Sequence, residues 1–158
     1  MKWLVLVGLL LSGCVTSYAP PNNPTHPKIR IDMKNINSLL FFEKGEDCSQ
    51  AGKLEIPHNP YLKDALPLPV RGSEVVAFQL GYKNRRESCG VIISFRPKFN
   101  HDYVIYNKLK RDKRSNISCR IKVIRKYRGA KAAQWLDEET VQQRRLVKAI
   151  KPDARHCR

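Results

Sequence analysis

In separate stretches between Ile29 and Arg125 apolar residues return at every second position, and that period of two limits what the chain can become. Side chains alternate across a strand and wind round a helix, so an alternating stretch can bury one face only as a strand. Ile29, Ile31 and Met33 alternate with Arg30, Asp32 and Lys34, and Leu39 to Glu43 is a second short apolar run ending near Gly45 and Cys48. Residues 49–72 hold four prolines and read as a long loop with at most short strand pieces. Val75 to Leu80 restarts a strand, and Gly90 to Phe95 follows with Val91, Ile93 and Phe95 on one face. Pro97 and Asn100 punctuate a turn before Tyr103 to Tyr106, which reads as a β-hairpin. A basic polar loop, Lys108 to Asn116, leads to Cys119 to Lys126, where Ile121 and Val123 alternate with Arg120, Lys122 and Arg125. Some six short strands before residue 128, with no helix among them, predict a mainly β fold: a two-sheet antiparallel β-sandwich of about six to eight strands.

The tail reads differently. Asp137 to Ile150 begins with acids, ends with bases and has helix formers between, which suits the helix dipole. Val141, Leu146, Val147 and Ile150 make only a thin apolar stripe, so the expectation is a short C-terminal helix, with a strand or extended arm as the other reading.

What precedes the strands is targeting and spacer. Met1 and Lys2 are followed by nine apolar residues, Trp3 to Leu11, and then Ser12-Gly13-Cys14. Such a run is too short to cross a hydrocarbon core of ~30 Å, which takes about 20 residues, and reads as a removable signal peptide over 1–13. Leu11-Ser12-Gly13-Cys14 resembles the lipobox of bacterial lipoproteins. The resemblance implies cleavage before Cys14 and acylation of that cysteine; with Val15 next, it also implies sorting to the outer membrane, facing the periplasm. Two or more acyl chains give a stable anchor. Residues 14–27, with four prolines, read as a lipidated Cys and Pro-rich tether, and residues 28–158 as a cationic domain.

Four further cysteines, Cys48, Cys89, Cys119 and Cys157, remain for an exported domain and predict two disulfides with three pairings open, Cys157 pinning the tail. None sits in a Cys-x-x-Cys pair, and no zinc site or other cofactor is expected.

The formal charge is +16, of which the signal segment carries only Lys2. Much of it is concentrated: Lys108, Lys110, Arg111, Lys113, Arg114, Arg120 and Lys122 lead a basic run that continues to Lys131, opposed only by Asp112. Arg120 and Lys122 should project from the solvent face of their strand, with the preceding loop adding charge at one end of the sheet. The plain reading is a solvated face; the functional one is a docking patch for an anionic envelope polymer or protein, weakened by salt. Tyr106 and Tyr127 flank the run without punctuating it, which argues against stacking on single-stranded nucleic acid and for no specific nucleic-acid partner.

No catalytic motif is found. His26, His58, His101 and His156 lie in the tether, a loop, a turn and the terminus, and no serine stands in a Gly-x-Ser-x-Gly elbow. Glu138 and Glu139 are read as helix capping. Cys89-x5-Phe95-x-Pro97-x4-Asp102-Tyr103, with the later Cys119, resembles a pattern in small proteobacterial lipoproteins of unknown function, in which a Gly is usual where this chain has Asn100-His101. That resemblance covers residues 85–126 and implies a compact sandwich with no transferred activity. A more distant likeness is to the type VI secretion lipoprotein. The expected role is therefore a non-catalytic binding or structural component of the envelope. The alternatives are an accessory lipoprotein of a secretion or pilus machine, and an envelope hydrolase.

Overall fold

The computed structural model of the chain describes residues 18–52, 67–113, 116–129, 132, 134–145, 147 and 157–158. The signal segment, Cys14 and Arg114 lie outside them. The described residues are all-β. Ten strands run in chain order: β1 (Lys28–Asp32), β2 (Ser38–Lys44), β3 (Ser49–Gly52), β4 (Leu68–Pro69), β5 (Val76–Lys83), β6 (Ser88–Phe95), β7 (His101–Arg111), β8 (Ile117–Tyr127), β9 (Leu136–Asp137) and β10 (Gln142–Arg144). They form two five-stranded sheets, ordered β4-β1-β7-β8-β9 and β10-β6-β5-β2-β3. The fold is the expected β-sandwich, in which each sheet offers the other its alternate apolar residues.

The core follows from the period of two. Ile29 and Ile31 of β1, Tyr103 and Ile105 of β7 and Val123 of β8 face Phe41, Phe78, Leu80, Val91, Ile93 and Phe95 of the other sheet. Phe41, Phe78, Phe95 and Tyr103 form a chain of rings through the middle, with successive centroids 5.2, 6.2 and 5.4 Å apart. Each fully buried side chain of this size contributes about 1.5–3 kcal/mol.

Both disulfides form, and the structure selects the pairing. Cys89 of β6 joins Cys119 of β8 with Cα atoms 5.6 Å apart, tying one sheet to the other. Cys48 joins Cys157 at 5.4 Å. The second bridge pins the tail over Phe42, Ala77 and Ile92, which make a small cluster on the outer side of the second sheet. The Cys157 N–H donates to the Asp47 carbonyl, and Arg145 and Arg158 exchange backbone bonds at 2.8 and 3.1 Å.

Several expectations are corrected. The sheets are not wholly antiparallel, because β1 pairs with β7 in parallel. The turn from Phe95 to Tyr103 is not a hairpin: β6 and β7 belong to different sheets. Pro97 is fully buried and has no N–H for a ladder, while the Lys98 N–H donates to the buried Tyr103 hydroxyl at 2.8 Å, so the chain crosses the sandwich there. Lys108 to Arg111 continue β7 and are not loop; β2-β3, β5-β6 and β7-β8 are hairpins.

The C-terminal helix is absent from the described part of the tail. Instead Gln142–Arg144 pair with Ile92–Ser94 at the edge of β6. The thin apolar stripe offered a helix little to bury, whereas the open β6 edge offered backbone partners. The Pro-rich segment is not a free spacer over residues 18–27. Tyr18 donates its hydroxyl to the Pro69 carbonyl at 2.8 Å and packs edge-on against Phe41 at 4.8 Å. Pro27 is fully buried, and the Arg128 guanidinium donates to the carbonyls of Pro24, Thr25 and His26.

Candidate functional site: a cationic sheet face

The first sheet shows its outer side to solvent, and the register decides which of the basic residues share it. With Tyr103, Ile105, Asn107 and Val123 turned inward, Lys108 and Lys110 on β7 and Arg120 and Lys122 on β8 project outward. Lys108 is the direct cross-strand partner of Arg120, Lys110 of Ser118, and Tyr106 of Lys122. At strand spacing and rise this puts four cations on roughly 14 Å by 5 Å of sheet. All four are exposed. Like charges directly opposite one another destabilise a strand pair, so the Lys108 and Arg120 pairing works against the hairpin that carries it. Asp137 of β9 reaches this group, its carboxylate 2.8 Å from the Lys122 ammonium.

Arg111 does not belong to the face. Its side chain turns to the other side of β7 and forms a bidentate pair with Glu87 in the β5-β6 turn. That contact holds the Glu87 carboxyl below its ordinary range and pushes Arg111 up. Together with the Cys89–Cys119 bridge it fastens the two hairpins to each other, so Arg111 is a strut. Lys113 lies exposed in the β7-β8 turn, beyond the sheet.

Glu138 is not a helix cap. It is buried, accepts the Thr140 backbone and hydroxyl donors at 3.0 and 2.6 Å, and meets Arg125 at 3.3 Å with both side chains largely withdrawn from water. Sequence reasoning missed this pair, although the adjacency of two acids to a basic strand was visible. It also missed Arg128, whose five donors fit the three carbonyls of the entering chain; nothing in the sequence separates that arginine from its neighbours.

A shallow concavity of about 500 Å³ opens beside β6 and β10, lined by Glu46, Ser94, Arg96, Glu139, Thr140 and Arg144 among others. Its polar groups are largely spent on each other: Arg144 Nε donates to Ser94 Oγ at 2.7 Å and the Arg96 N–H to Thr140 Oγ1 at 3.0 Å. Among the described residues no histidine lines it, and Ser94 Oγ is already taken up by Arg144. Among the described residues no three His, Cys, Asp or Glu side chains gather as metal ligands. No family model, curated protein or solved structure matches the chain.

Proposed function

We propose that the protein is a lipoprotein held at the bacterial outer membrane through Cys14, and that its sandwich acts by binding and not by catalysis. The cationic face of β7 and β8 takes an anionic polymer of the envelope, such as lipopolysaccharide phosphate or peptidoglycan carboxylate. The observation that carries the reading is the opposition of Lys108 and Arg120, with Lys110 and Lys122 on the same face. A folded domain that keeps like charges opposed at a cost to its own hairpin has a use for the potential they create. Such binding is dominated by charge and falls as salt displaces it.

The test is a triple variant, Lys108→Glu, Lys110→Glu and Arg120→Glu, compared with the wild-type chain on lipopolysaccharide, peptidoglycan and DNA across a salt series. The three side chains face water, so the variant keeps its fold. Each lost contact should lower the slope of log affinity against log salt by about one. Absence of wild-type binding at low salt, or equal slopes for both proteins, returns the face to plain solvation.

A further inference from the structure

One end of the sandwich carries apolar side chains that the core does not take in. Phe99, Tyr127, Trp135 and Leu136 are between 43 and 56 % exposed. His101 is the cross-strand partner of Tyr127, their ring centroids 5.3 Å apart, and its ring Nδ1 bonds the Phe99 carbonyl at 2.8 Å. Leu136 pairs with Arg125, which puts it diagonally from Tyr127 at roughly 7–8 Å, within reach of long side chains. Trp135 precedes it. The result is a strip of rings and one aliphatic side chain. Lys98, exposed, and Lys126, half-exposed, flank it.

The chain enters the domain close by. Tyr18 bonds the Pro69 carbonyl, and Phe99 rests on Gly72, where a Cβ would meet its ring at 2.8 Å. Pro69 and Gly72 are three residues apart, at most ~10 Å of backbone. Cys14 stands four residues before Tyr18, a reach of at most ~14 Å, and the apolar run ends at Leu11, at most ~25 Å away. An anchor in that N-terminal stretch would therefore keep this end of the sandwich within a few tens of Å of the bilayer.

We propose that this strip is a membrane-contact surface, seating the end of the sandwich in the headgroup layer of an anionic phospholipid bilayer. Aromatic side chains with a polar tip favour that layer, and the two lysines can keep their stems on apolar ground while their ammonium groups meet lipid phosphates. The inference rests on the membrane-anchored reading above, and it adds a second point of attachment that makes the domain lie at a fixed angle.

Trp135 is its own probe. The chain has two tryptophans, so Trp3→Phe leaves Trp135 as the sole emitter whether or not the signal is removed. This full chain is reconstituted into vesicles of equimolar phosphatidylglycerol and phosphatidylcholine, with and without lipids brominated near the headgroup. Brominated lipid should quench Trp135 about twofold, and adding Phe99→Ser with Tyr127→Ser should abolish most of that quenching. Unquenched Trp135 open to aqueous iodide overturns the proposal. So does an emission shift that tracks protein density in the vesicle and not lipid type, since that identifies a second copy of the chain as the occupant. The mass of the N-terminal peptide reports acylation separately: an acylated chain with unquenched Trp135 removes the strip and keeps the anchor, and an unacylated chain quenched on added vesicles does the reverse.

Discussion

Tyr18 joins the entering chain to both sheets, bonding Pro69 of one and packing on Phe41 of the other. Burial, with Glu43 nearby, pushes its hydroxyl up from the ordinary 10.0 to about 12. Tyr103 is raised too, chiefly by burial. A group that holds its proton more tightly folded than unfolded supports the fold fully below its unfolded value and loses that support as pH climbs through the folded one. The domain should therefore lose stability between pH 10 and about 12, and a Tyr18→Phe chain should lose less over that window. Denaturant midpoints measured across the window check this; equal losses in both chains would mean that Tyr18 does not drive the effect. Asn100 shows the other side of residue-level economy. Its φ of 57° lies where Gly is at ease and Asn is among the few tolerated alternatives, which explains an Asn where the resembling pattern has Gly.

At the scale of elements, the two disulfides divide the work. Cys89–Cys119 closes 30 residues and joins the sheets, while Cys48–Cys157 closes 109 and covers the Phe42 and Ile92 cluster with the tail. Loop-closure entropy gives about 3–4 kcal/mol for the shorter and nearer 5 for the longer. Replacing Cys48 and Cys157 by Ala should thus cost more in urea than replacing Cys89 and Cys119, and it alone should speed amide exchange in β10; the reverse order would mean that the tail adds nothing. The sequence made β1, β2, β5, β6 and β8 legible because each keeps its apolar period. It misled where charge masked the period: Lys108 and Lys110 alternate with buried Asn107 and half-buried Leu109, yet their density reads as loop. It misled again at residues 96–100, whose length suits a hairpin although buried Pro97 sends the chain across. The cationic face was half legible. Composition named its residues, but only register shows that Arg111 leaves it for Glu87 and that Lys108 meets Arg120.

The whole molecule has two unlike ends. β7 and β8, each 11 residues, span about 36 Å from the Phe99 end to the Lys113 turn. If the aromatic end rests on lipid, the cationic face, lying toward the far end of the strands, is held roughly 20–30 Å from the membrane surface. Spin labels at Lys98→Cys and Lys113→Cys, read in reconstituted vesicles by oxygen and nickel collision rates, should report a headgroup position for the first and open water for the second. Equal environments would mean the domain lies flat or stands free. The long disulfide carries a consequence in time. If the chain is exported from its N-terminus, as the proposed lipoprotein would be, Cys89 and Cys119 emerge within 30 residues of each other, whereas Cys48 emerges first and its partner 109 residues later. Cys48 meets Cys89 long before it meets Cys157, and an oxidant that joins cysteines in order of arrival would couple the wrong two. On that route, maturation of this small domain would call for a catalyst that reshuffles bonds as well as one that makes them.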